Sequence, residues 1–128
     1  MKTIVRNILA VLAGLVVGSL VNMGLVIVGP LLIPLPEGVD ASKTESLRET
    51  IHLFTPANFL FPFLAHALGT LSGAFVAAKL AASHHMKFAV VIGVAFLIGG
   101  ILAATTIGGP LWFTVTDLVL AYLPMGIL

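Results

Sequence analysis

The sequence predicts an all-α integral membrane protein: a four-helix bundle with both termini on the inner side and a short amphipathic helix in the outer loop between the first two spans. Three observations predict it. Charged residues make up only 9% of the chain and hydrophobic residues 59%. A soluble domain carries roughly 25% charged residues, and so few charges cannot cover a surface facing water. Four apolar runs, Ile8–Val28, Phe59–Ala78, Phe88–Ile107 and Leu111–Leu128, hold 21, 20, 20 and 18 residues. Each is close to the roughly 20 helical residues that cross a bilayer core. The runs are also continuous rather than alternating in polarity, which argues against membrane strands. With their flanks, they give one four-span domain over 1–128, with spans near 4–28, 56–81, 88–107 and 111–128 and an outer loop at 29–55.

The first span follows Lys2 and Arg6, in the manner of a signal peptide. Its apolar run exceeds the roughly 7–15 residues of a signal core, and no small-x-small site follows it. A retained span is therefore expected. The loop after it opens with "GPLLIPLPEG", whose three prolines are expected to forbid a regular helix. "SKTE" at Ser42–Glu45 then matches a capping box. Leu47, Ile51 and Phe54 follow at i, i+4 and i+7, one apolar stripe on a short helix. Such a helix lies on the outer membrane surface, caps the bundle, or stands solvated in the loop.

The second span starts at "TPANF", with Thr55 as N-cap and Pro56 in the first helical position. Pro62 falls inside it. Without an N–H, and clashing with the carbonyl of Asn58, it is expected to kink the helix near the outer mouth. "SHHMK" makes the inner turn to the third span, where His84 and His85 are expected to face solvent or headgroups. "GGP" makes the outer turn to the fourth. Connections this short force antiparallel neighbours. Four basic residues (Lys2, Arg6, Lys79 and Lys87) lie on one side of the spans and two (Lys43 and Arg48) on the other. The positive-inside rule then puts both termini in the cytoplasm.

In lipid, helices associate through close packing of small residues rather than through a hydrophobic drive. Small residues recur at four-residue spacing in three spans: Ala10, Gly14 and Gly18, continued by Asn22; Ala65, Gly69, Gly73 and Ala77; and Ala95, Gly99 and Ala103. These are expected to be the packing faces.

Asn22, His66 and Asp117 are the informative polar residues inside the spans, each roughly 9–11 Å below the outer boundary at about 1.5 Å rise per residue. Polar side chains in lipid are costly and face the interior. Thr70 lies at i+4 from His66 and Thr114 at i−3 from Asp117. The expected site is this layer of Asp117, His66, Asn22, Thr70 and Thr114. A lone Asp costs roughly 2.5–3.5 kcal/mol on insertion scales, whereas a membrane hydrogen bond returns only about 0.6 kcal/mol. Packing alone therefore gives Asp117 little reason to be there. Trp112 suits an anchor at the outer interface.

The absence of cysteine removes disulfides and thiolate chemistry. A net charge of +1 suggests no nucleic-acid partner. No metalloprotease, hydrolase, P-loop or dinucleotide motif occurs, and neither cofactor nor metal is expected. The architecture resembles that of small bacterial inner-membrane proteins, and no functional residue is carried over from that resemblance. The function expected is transport or binding of a small polar solute or a proton, in an oligomer because four spans enclose little volume. The alternatives are an accessory subunit docked on a larger membrane complex, and an intramembrane enzyme acting on a lipid-like substrate with His66 and Asp117 as acid and base.

Overall fold

The computed structural model describes residues 2–40 and 42–127, and among them every regular element is helical. Helix α1 spans Thr3–Leu32, α2 Thr44–Thr50, α3 Leu60–Leu80, α4 His85–Ile107, α5 Leu111–Leu120 and α6 Leu123–Ile127. Short 3-10 turns at Ile51–Leu53 and Pro56–Phe59 lead into α3. Three helical stretches, Thr3–Leu32, Pro56–Leu80 and His85–Ile107, are long and apolar enough to cross a membrane. Helix α3 sits centrally, packed on one side by α1 and on the other by α4 and α6.

The α1–α3 pair is built on glycine. A Cβ on Gly14 would come 2.6 Å from the carbonyl oxygen of Gly73, and one on Gly18 would come 2.7 Å from that of Gly69. The two backbones therefore touch where any larger residue would hold them apart. Ala10, Ala65 and Ala77 continue the same seam as buried residues. The outward face of α1 carries large apolar side chains such as Leu12, Leu20 and Leu31.

The turn end of the α3–α4 hairpin is tied by polar groups. The Asn7 side chain accepts from the Ala82 N–H at 2.7 Å and donates to Ser83 Oγ at 3.2 Å, while Arg6 Nε donates to the Leu80 carbonyl at 2.9 Å. Free carbonyls and amides at the end of α3 thus find partners on α1. The turn passes through His84 in the left-handed region at φ 49. His85 Nδ1 donates back to the Ala78 carbonyl at 2.7 Å.

Several expectations are corrected. Helix α1 runs on to Leu32 through Pro30 rather than stopping near residue 28. Pro30 lies in the last turn, so it removes only the bond to the Val26 carbonyl, and Ile33 N–H still reaches Gly29 at 2.8 Å. The Ser42 capping box does not form: α2 starts at Thr44, with Lys43 at its N-cap. Ser42 is instead held by Asp40, whose carboxylate accepts from its hydroxyl at 2.6 Å and from its N–H at 3.0 Å. These bonds keep the Asp40 carboxyl below its usual value, the side-chain bond being the larger cause. Thr55 does start the next segment as expected, with Pro56 in the first position. That first turn is 3-10, however, so Pro62 falls in the opening turn of α3 rather than inside a regular helix.

The small-residue face expected on the third span is displaced. Gly99 has open space around it, whereas Ala89, Ile92, Gly93 and Gly100 are the buried residues of α4. Gly93 and Gly126 bring the backbones of α4 and α6 together.

The expected fourth span is not one helix. It breaks at Ala121–Tyr122 into α5 and α6. Pro124 explains the break, because it has no N–H to give the Leu120 carbonyl and the ladder must restart around it. Leu128, the expected end of that span, lies outside the described residues.

Candidate functional site

The site is assembled by α3, α5 and the break after α5. His66 lies two turns into α3, with its backbone carbonyl taken by Thr70 Oγ1 at 2.7 Å. Asp117 projects from α5 and is 5% exposed. His66 Nδ1 donates to Asp117 Oδ1 at 2.7 Å and to Oδ2 at 2.9 Å, and the Tyr122 hydroxyl donates to Oδ2 at 3.2 Å. With a donor on each oxygen, Asp117 fits this arrangement as a carboxylate. The same network puts a proton on His66 Nδ1, and in the neutral ring the lone pair is then on Nε2. The imidazole and phenol rings stack at 5.6 Å with 25° between their planes.

Tyr122 reaches this position because of two features. The helix break turns its side chain back beneath α5, and Gly100 of α4 leaves the room. A Cβ on Gly100 would fall 2.5 Å from the Tyr122 hydroxyl and 2.6 Å from Cζ.

Above the pair lies a cavity of about 220 Å³ at the end of the molecule that carries α2. His66, Asp117, Thr114 and Asn58 form its polar part. The rest is apolar. Leu47, Ile51 and Phe54 turn their stripe onto it, so the short α2 segment caps the helices rather than standing free. Phe59 packs against Phe113 with ring centroids 4.5 Å apart and against Trp112 edge-on at 5.5 Å. Asn58 fastens the rim: its Oδ1 accepts from the N–H and the hydroxyl of Thr55, both at 2.8 Å, and its Nδ2 donates to the Pro34 carbonyl at 3.0 Å.

The five residues singled out in the sequence divide here. His66 and Asp117 are bonded, and Thr114 shares their cavity. Thr70 is fully buried, and its hydroxyl is spent on the His66 carbonyl, so it shapes the helix beneath the site without facing the cavity. Asn22 does not line the cavity. It packs against Gly69, where its Cβ lies 3.1 Å from the place a Gly69 Cβ would take, and its buried Oδ1 has no hydrogen-bond partner. Asn22 belongs to the α1–α3 seam at Gly69 rather than to the cavity that holds Asp117.

Tyr122 and Asn58 were missed. The chain has one tyrosine, and a lone phenol in an apolar run was a usable signal. At i+5 from Asp117, however, an unbroken helix would carry it about 140° around the axis. Among the described residues no group of three or more His, Asp or Glu side chains is placed to hold a metal ion. No protein-family model, curated protein or solved structure matches the chain.

Proposed function

We propose that the chain is a four-helix protein of the bacterial inner membrane, with cytoplasmic termini, that binds and passes a small solute or a proton at a site in the outer leaflet. The α5–α6 pair serves as the fourth, broken span. The distribution of Lys2, Arg6, Lys79 and Lys87 against Lys43 and Arg48 supports the orientation. In it, α2 and the cavity face outward.

One observation carries the functional reading: a part-buried His66–Asp117 pair, bonded at 2.7 Å, forms the floor of a cavity instead of being sealed in packing. A pair that served register alone would need no space beside it. His66 keeps its ring partly open, with 25% of the side chain exposed against 7% for Asp117. Asp117 therefore orients the imidazole, and His66 is the group a solute or a proton meets. Broken helices with polar residues at the break recur in membrane transport sites. The lining residues all lie toward the α2 end, so passage to the other side requires either rearrangement of α5–α6 or a second copy of the chain.

The test is flux into liposomes that carry the wild type, His66→Ala or Asp117→Asn, with protons and a panel of small organic solutes. Flux by the wild type that falls at least tenfold in both variants supports the reading. Equal flux in all three sinks it.

A further inference from the structure

We propose that the cavity takes a lipophilic monocation: a molecule with a body of about one ring and a single protonated amine that docks on His66 and Asp117. This inference rests on the small-solute reading above and names its substrate class.

Size sets the first limit. The cavity holds about 220 Å³. An apolar cavity of roughly 150 Å³ accommodates benzene, so one ring with a short arm fills this one. The walls set the second. Phe54, Phe59, Phe61 and Phe113 line it together with aliphatic side chains. Such walls stabilise an apolar body, and ring faces attract a cation, whereas a small inorganic ion would give up its water with few oxygens to replace it.

Charge sets the third limit. Among the described residues no lysine or arginine lines the cavity. The ionisable groups at its floor are Asp117, His66 and, behind them, Tyr122. With Asp117 as the carboxylate and His66 neutral, the floor carries one uncompensated negative charge in a low-dielectric setting. That charge attracts a cation and repels an anion.

The geometry also supplies the hydrogen bond. His66 Nδ1 is committed to Asp117. Nε2 makes no bond among the described residues, and Asn22 Oδ1 alone is found buried without a partner, so Nε2 keeps an open position. Carrying the lone pair, Nε2 accepts from an ammonium N–H, and the carboxylate behind the ring stabilises the charge through the imidazole. A neutral hydroxyl can make the same hydrogen bond but gains nothing from the charge.

The experiment uses the full chain in phosphatidylcholine nanodiscs, titrated with benzylamine, benzyl alcohol and benzoate as size-matched cation, neutral and anion. Binding is read from the side-chain ¹⁵N resonance of His66, identified by its loss in His66→Ala. The amine is expected to bind about tenfold or more tightly than the alcohol, the scale of a charge-assisted bond, and benzoate is expected to leave the resonance unmoved. In Asp117→Asn, the advantage of the amine over the alcohol disappears while the alcohol still binds. The wild-type series does not depend on Asp117→Asn, so it decides the matter even if that variant does not fold. Equal binding of amine and alcohol, or tighter binding of benzoate, overturns the cation inference and leaves a small-solute site standing. If all three probes leave His66 unmoved up to saturation, both the inference and the reading beneath it fall.

Discussion

Replacing His66 by alanine takes both of the short hydrogen bonds, 2.7 and 2.9 Å, from Asp117. The carboxylate then keeps only the Tyr122 hydroxyl at 3.2 Å, at a residue 5% exposed. With His66 neutral, the variant removes a hydrogen bond to a charged group, which contributes about 1.5–3 kcal/mol. The carboxylate is left short of partners in a largely buried position, so the upper end applies, about 3 kcal/mol. The measurement is a double-mutant cycle of His66→Ala, Asp117→Ala and the double variant, by reversible unfolding in mixed micelles followed by circular dichroism. Each single variant is expected to lose about 3 kcal/mol, and the two to couple by about 2 kcal/mol. Neutral interhelical bonds in membrane proteins average about 0.6 kcal/mol. A coupling at or below that value would refute a hydrogen bond from His66 to an ionised Asp117, whatever the single variants lose.

Four further expectations rest on separate parts of the fold. Gly73→Ala places a Cβ 2.6 Å from the Gly14 carbonyl and must spread α1 from α3, at about 1–3 kcal/mol by the same unfolding assay. Gly24→Ala, which meets nothing within 4 Å, should be neutral or gain up to about 1 kcal/mol in helix propensity. Gly100→Ala should push the Tyr122 ring off Asp117 and match Tyr122→Phe in the His66 ¹⁵N spectrum; unlike spectra would dissociate Gly100 from the site. Asn7→Ala removes two hydrogen bonds at the end of α3, so amide exchange at Ala82 and Ser83 should accelerate at least tenfold, with little change near His66.

Much of the framework was legible because lipid imposes a coarse code. Run length and missing charge located the three long helices. The four-residue spacing of Gly14, Gly18, Gly69 and Gly73 marked the α1–α3 seam, where glycine is needed for contact. The same rule misled on α4: spacing identifies a small-residue stripe, but large residues on the other face can equally be the ones buried, as Ile92 is. Counting residues from the span ends placed His66 and Asp117 at one depth, and they bond. Depth says nothing about azimuth, so Asn22 was grouped with them although its face belongs to Gly69. The least legible part was the fourth span. Its proline was visible at position 124, but a break swings every following side chain to a new direction, and Tyr122 enters the site by that turn. At the other end of α1, Pro30 was read too strongly, since in a last turn it removes one bond and the helix continues.

The central claim is that the His66–Asp117 floor communicates with the outer side of the membrane, and the cysteine-free sequence permits a direct measurement. Thr114→Cys puts one thiol in the cavity beside Asp117, and Leu20→Cys puts one on the outward face of α1. A membrane-impermeant maleimide is applied to oriented vesicles from each side in turn. The account expects Thr114→Cys to react from the outer side only, with excess benzylamine slowing the reaction, and Leu20→Cys to stay unreactive from both sides. A Thr114→Cys thiol that reacts only from the inner side, or from neither, contradicts it.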